Sequence, residues 1–132
     1  MNVSQTELAR IYRESDILLS CSLYEGCPMP PLEAMASGVA VITTDCGGIH
    51  QYAIHQENAL IATSNTIFEL TAHLKELLTN HELRHQLINN GIQTAKKLNN
   101  DHGAELLENI LSSSIHQLKR KRTSLERLEF YL

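Results

Sequence analysis

The run Tyr24-Glu25-Gly26-Cys27-Pro28-Met29-Pro30-Pro31-Leu32-Glu33-Ala34-Met35-Ala36-Ser37-Gly38-Val39-Ala40-Val41-Ile42-Thr43 decides how the rest of this 132-residue chain is read. A polar loop, a proline-rich turn, a short helix, a glycine stop and a β-branched apolar strand follow one another here, the order of elements found in α/β folds. Pro28, Pro30 and Pro31 exclude helix before Pro31 but suit a first helical turn, where a missing N–H removes no bond. Leu32 to Ser37 are then expected as a short helix ended by Gly38. Val39 to Thr43 are expected as a strand.

Working outward, Ile17 to Cys21 form a short apolar run without alternation, as in a parallel strand covered on both faces. From Ser4 to Glu14, Leu8, Ile11 and Tyr12 recur at helical spacing, and Ser4 with Glu7 forms a capping box. Downstream, Thr44-Asp45-Cys46-Gly47-Gly48 is a glycine turn that lets backbone come close, and a short helix is expected near Ile49. Ala59 to Ala62 read as a third, brief strand. Helical patterns follow. Thr66 and Glu69 cap a helix with Ile67, Leu70, Leu74, Leu77 and Leu78 as its buried stripe. Asn80 caps a second, with Leu83, Leu87, Ile88, Ile92, Ala95 and Leu98 inward. A third is expected from Asp101 with Leu107, Ile110, Leu111, Ile115 and Leu118, and the tail from Thr123 keeps Leu125, Leu128 and Leu132 at helical spacing.

Strands alternating with short helices imply an α/β fold with a short parallel sheet of about three strands, right-handed crossovers and several C-terminal helices. Such a length supports one core that buries about two-thirds of the unfolded surface. The expected division is 1–118 as the folded domain and 119–132 as a basic helical tail, since Lys119-Arg120-Lys121-Arg122 is the one basic run. That run reads as a solvated helix face, with contact to anionic lipid as the alternative. A thin sheet with amphipathic helices leaves apolar surface to cover, so self-association is expected.

Composition narrows the function. A net charge of −4 argues against a nucleic-acid partner, which requires a broad basic face. Cys21, Cys27 and Cys46 are odd in number and form no Cys-x-x-Cys pair, so neither a disulfide framework nor a zinc cage is indicated, and a reducing cytoplasm is the simpler setting. No signal-peptide pattern opens the sequence and no run approaches the ~20 apolar residues of a membrane span. His81 and His85 share a helix face at metal-ligand spacing without a third ligand, so no metal is expected. Nothing beside Cys27 marks it as a nucleophile.

Ligands of open α/β sheets bind beyond the carboxyl ends of the strands, and here two successive strand ends carry the loops Ser22–Pro30 and Thr44–Gly48. The helix opening near Pro31 points its N–H groups at that crevice, which favours a phosphate or diphosphate. Glu25 and Glu33 can accept hydrogen bonds from the hydroxyls of a ribose or hexose; solvated surface carboxylates are the other reading of such a pair. His50, beside the glycine turn, is either a contact to a phosphate or sugar oxygen or an ordinary helix-start residue.

Two glutamates flanking seven residues, then Ala34-Met35-Ala36, Gly38, an apolar strand and Gly47-Gly48, closely resemble the signature of the glycosyltransferase group 1 (family 4) enzymes. The resemblance extends to Ile11-Tyr12, Asp16-Ile17 and Glu82-Leu83-Arg84. It implies part of a Rossmann-like three-layer domain of the GT-B arrangement: the distal portion of the donor-binding domain, with the diphosphate-holding basic residues and the acceptor-binding N-terminal domain outside this sequence. It implies retaining transfer of a hexosyl group from a nucleotide-diphospho-sugar to a sugar or lipid-linked acceptor, without metal or cofactor. Cysteine usage makes the expected setting cytoplasmic, and the basic run leaves a peripheral place on a membrane as the alternative. On this resemblance Glu33 accepts the ribose hydroxyls, and Glu25, the catalytic candidate, lies beside the transferred sugar. Gly26, Cys27, Met29, Gly47 and Gly48 extend the substrate-binding set, and His50 joins it by its place beside the glycine turn rather than by the resemblance. The alternative is a catalytically incomplete remnant acting as a folded interaction or assembly module. The sequence departs from the family at His50-Gln51, where Pro-Glu is common and a carboxylate is lost, and at Asn58-Ala59, where Asn-Gly is frequent and alanine tolerates positive φ poorly.

Overall fold

A computed structural model describes residues 3–98. The expected helix from Asp101, the basic tail and the boundary at residue 118 lie outside the described residues.

The expected three strands are present as β1 (Ile17–Ser20), β2 (Ala40–Thr44) and β3 (Leu60–Ala62), all parallel in the order β1-β2-β3. Ile17 pairs with Ala40 and Ser20 with Thr43, while Ile42 pairs with Leu60 and Thr44 with Ala62. As the central strand, β2 is buried along its whole length, which explains its apolar and β-branched composition.

Four α-helices accompany the sheet: α1 (Gln5–Arg13), α2 (Met29–Ala36), α3 (Ile67–Thr79) and α4 (His81–Lys97), with a 3₁₀ turn at Gly48–Gln51. The two-residue alternation of strand side chains sorts the core into two layers. Leu18, Val41 and Ile61 face Leu8 and Tyr12 of α1 and Leu32, Ala34 and Met35 of α2. Ile17, Ala40, Ile42 and Leu60 face Leu70, Leu74 and Leu77 of α3 and Leu83, Leu87 and Ile88 of α4. This is a three-layer, Rossmann-like α/β unit.

The expected N-caps form, but neither capping box closes, because the Glu7 carboxylate accepts from Arg10 and that of Glu69 from Thr63 and Ser64. Ser4 Oγ accepts the Glu7 N–H at 3.2 Å, Thr66 Oγ1 accepts the Glu69 N–H at 3.3 Å, and Asn80 Oδ1 accepts the Leu83 N–H at 3.0 Å. Glu69 in turn receives the N–H groups of Thr63 at 3.0 Å and Ser64 at 2.8 Å, tying the β3–α3 loop to the helix start.

Several expectations are corrected. Helix α2 begins at Met29, not after Pro31, because its first four N–H positions have no intrahelical acceptor and prolines there lose nothing. The stripe of α3 is narrower than expected, since Ile67 and Leu78 are exposed, as are Ile11 on α1 and Leu98 beyond α4. Ala59 needs no positive φ: it is fully buried, and the left-handed residue is Gln56 at φ 61°. The buried Asn58 organises this loop by donating to the Tyr52 carbonyl at 2.8 Å and to Thr94 Oγ1 at 2.9 Å, and by accepting the Ile54 N–H at 2.7 Å.

Helix α4 serves both layers. Its first half covers the α3 face, whereas Ala95 joins the α1–α2 face and Gly91 crosses α2 so closely that a Cβ there would sit 3.1 Å from Met35 Cγ. No helix among the described residues is long and apolar enough to cross a membrane.

Ile42 is wholly buried at the centre of the sheet. Ile42→Ala is expected to lower unfolding stability by about 3 kcal/mol through lost burial and a residual cavity, read as a lower urea midpoint with unchanged slope.

Candidate functional site

The loops leaving β1 and β2 are bound to each other beyond the strand ends. Glu25 and Gly47 form a parallel bridge, with the Glu25 N–H donating to the Cys46 carbonyl at 3.0 Å and the Gly48 N–H donating to the Glu25 carbonyl at 2.9 Å. Thr44 Oγ1 donates to the Ser22 carbonyl, and Gln51 Nε2 donates to the Gly26 carbonyl at 2.7 Å. The Tyr52 hydroxyl donates to the Pro28 carbonyl. One crevice therefore gathers Glu25, Gly26, Gly47 and Gly48, four of the expected site residues.

The paired glycines have separate reasons. Gly47 has φ 81°, which disfavours a side chain. Gly48 is excluded from carrying one by space, because a Cβ would lie 2.1 Å from the Gly26 carbonyl oxygen and 2.4 Å from that of Glu25.

Glu25 is exposed, and its Oε1 accepts the Ser22 hydroxyl at 3.1 Å. Glu33 is half-buried on α2 and its Oε2 accepts the Tyr12 hydroxyl at 3.1 Å. A cavity of about 230 Å³ opens beside Glu33 between α1 and α2, lined by Gln5, Leu8, Ala9, Tyr12, Ala36 and Ser37. Glu33 is the one expected site residue in its wall; Glu25 and the glycine turn belong to the crevice instead. Burial first, then the Glu33 hydrogen bond and charge, push the Tyr12 hydroxyl up to about 12, so it stays a donor at ordinary pH.

His50 is exposed and pairs with Asp45, Nε2 to Oδ1 at 3.0 Å. That hydrogen bond, with one from the Gly47 N–H, holds the Asp45 carboxyl below its usual range. Asp45 is further fixed by Asn65, whose Oδ1 accepts the Asp45 N–H at 2.8 Å and whose Nδ2 donates to the Asp45 carbonyl at 3.0 Å. Cys27 and Met29 are exposed on the loop and the first turn of α2, and Cys27 is a free thiol.

The N-terminus of α2 is a poorer anion site than the sequence suggested. Three of its four unpaired N–H positions fall on Pro28, Pro30 and Pro31, which leaves Met29 as the donor. Among the described residues, no group of three or more His, Cys, Asp and Glu side chains could hold a metal ion.

Tyr12, Ser22, Asp45, Gln51 and Tyr52, absent from the expected set, hold the candidate-site segments through side-chain hydrogen bonds. Gln51 carried a usable signal. Where a glutamate could only accept, its amide donates, and the loop carbonyl it meets needs a donor.

Residues 1–94 match the model of the family "Glycosyl transferases group 1". The chain belongs to this family. It is 36% identical over 91 residues to an uncharacterized glycosyltransferase of Methanocaldococcus jannaschii, covering 69% of this chain and 26% of that protein. It is 33% identical over 94 residues to the MMP alpha-(1->4)-mannosyltransferase of Mycolicibacterium hassiacum, covering 70% of this chain and 23% of that one. Among solved structures it resembles the C-terminal domain of a glycosyl transferase group 1 family protein from Francisella tularensis, with TM-score 0.68 and 28% identity, over 74% of this chain and 50% of that chain. The chain thus spans about a quarter of the length of the curated relatives it matches.

The bridge gives a stability contrast between neighbouring glycines. Gly48→Ala is expected to lower the melting temperature by several degrees, because the backbone of Glu25 and Gly26 must move apart. Gly26→Ala, with nothing within 4 Å of its Cβ position, is expected to melt close to the wild type. Equal melting of the two variants would contradict the close approach.

Proposed function

We propose that the chain is the distal part of the donor-binding domain of a retaining glycosyltransferase, which moves a hexosyl group from a nucleotide-diphospho-sugar to an acceptor hydroxyl. The observation that carries this reading is the bridge between Glu25 and Gly47, which joins the glutamate loop to the glycine turn beyond the carboxyl ends of two parallel strands. Family membership supplies the reaction class.

Glu33 accepts the ribose hydroxyls of the donor through oxygen lone pairs not used by Tyr12. Glu25, steadied by Ser22, lies beside the transferred sugar and stabilises positive charge developing at the anomeric carbon as the bond to the diphosphate breaks. The electron pair of that bond leaves on the diphosphate, the acceptor oxygen bonds the anomeric carbon, and the acceptor's proton passes to the departing diphosphate oxygen; the N–H groups of Gly26, Cys27 and Met29 supply hydrogen bonds to that diphosphate. Gly47 and Gly48 contribute shape, since their own N–H groups are engaged by Asp45 and Glu25. His50, tethered by Asp45, contacts a phosphate or sugar oxygen of the donor. Metal and organic cofactors have no part in this proposal. Acceptor recognition and the remaining diphosphate contacts fall to parts of the enzyme outside this sequence.

Isothermal titration of uridine- and guanosine-diphospho-sugars against the chain tests the reading. Binding is expected in the millimolar range or tighter, weakened about tenfold in Glu33→Ala by loss of a charge-assisted hydrogen bond. No heat with any donor at millimolar ligand would sink it.

The open edge of β1 favours a second reading, an interaction module. That strand pairs only with β2 among the described residues, and carries no charge or proline to protect its edge. Beside it a groove of about 210 Å³ is lined by Leu19, Cys21, Ile67, Leu70, Thr71 and Leu74. Self-association is expected in light scattering at tens of micromolar; a clean monomer there would count against this module.

A further inference from the structure

We infer that Tyr12 is a positioning residue for the donor site: its hydroxyl fixes the Glu33 carboxylate so that the remaining lone pairs face the nucleotide ribose. This rests on the reading of Glu33 as the ribose-binding residue. A glutamate on a helix surface rotates freely about three side-chain bonds, and a carboxylate that must meet two vicinal hydroxyls loses affinity for each rotamer it samples. Among the described residues, the Tyr12 hydroxyl at 3.1 Å is the one hydrogen bond held by the Glu33 carboxylate.

Tyr12 is built to hold a position. Tyr12 is 9% exposed and belongs to the core layer with Ala34 and Met35, one and two residues beyond Glu33 on α2. It sits on the last turn of α1, where its carbonyl accepts the Ser15 N–H at 3.0 Å. Ring, helix end and hydroxyl are thus fixed by packing, and the flexible partner is the glutamate. A carboxylate only accepts, so the shared proton comes from the tyrosine. The remaining lone pairs stay available to ligand hydroxyls on the cavity side, where Leu8, Ala9 and Ala36 give apolar walls. With its hydroxyl pushed up to about 12, Tyr12 keeps that proton across the working pH range.

A double-mutant cycle on the full chain tests the inference, with uridine diphosphate and guanosine diphosphate as probes. Tyr12→Phe removes only the hydroxyl. It is expected to weaken binding about fivefold to tenfold, while in a Glu33→Gln background the same change alters Kd by less than about twofold. Losses of equal size in both backgrounds would mean that Tyr12 acts through packing, and would overturn the inference. So would wild-type affinity in Tyr12→Phe beside weakened binding in Glu33→Gln; that outcome leaves the ribose-site reading standing. Binding undiminished in Glu33→Gln, or absent from the wild type, ends the ribose-site reading and the positioning role together. Two measurements are independent of how Tyr12→Phe folds. The Tyr12 ultraviolet titration is expected to drop from about 12 in Glu33→Gln, and the Tyr12 ring resonances of the wild type are expected to move when either diphosphate binds. Ring resonances that stay fixed at saturation would overturn the role.

Discussion

The contact between Gly48 and the backbone of Glu25 and Gly26 is the constraint on which the candidate site depends. Two parallel strands deliver two loops, but the strands alone do not decide how far apart those loops lie. The Gly48 N–H bound to the Glu25 carbonyl at 2.9 Å decides it, and only a residue without Cβ fits. Thr44, Gln51 and Tyr52 then hold three further carbonyls of the same loop, at Ser22, Gly26 and Pro28. Each carbonyl taken up by a side chain is one that no longer has to find water, so the loop is held by hydrogen bonds where it has little apolar surface to bury.

This division of labour runs through the unit. The sheet and its helices are fixed by burial: β2 has no exposed residue, and its alternation shares side chains between two helical layers. Helix α4 links those layers, with Gly91 admitting Met35 on one side and Leu87 filling the other. The site is fixed by polar contacts laid over that frame. Glu25 and Glu33 accordingly differ, one exposed in the crevice beside Ser22, the other half-buried against Tyr12 at a helix–helix cavity.

Sequence carried the frame well because its signals are local and periodic. Ser4, Thr66 and Asn80 announced their caps, and the apolar runs announced strands to within a residue. Contacts between residues distant in sequence were not legible. Nothing local couples Tyr12 to Glu33, Gln51 to Gly26 or Tyr52 to Pro28, since each pair meets only after β1 and β2 align. Helix faces failed at their margins for a related reason. Ile11, Ile67 and Leu78 satisfy helical spacing, but which edge of a stripe is covered depends on the neighbour, which periodicity does not name. The start of α2 was misplaced because proline was read as a helix breaker where the first turn has no bond to lose.

That proline-rich first turn carries a further consequence for recognition. Pro28, Pro30 and Pro31 leave α2 few donors, yet they also freeze three φ angles in the segment between the two glutamates. The unfolded chain has correspondingly fewer conformations to surrender there, and a ligand arriving at the folded loop has little left to order. Hydrogen-bonding capacity has been exchanged for preorganisation: the segment spacing Glu25 from Glu33 acts as a stiff ruler that offers few N–H donors in fixed places.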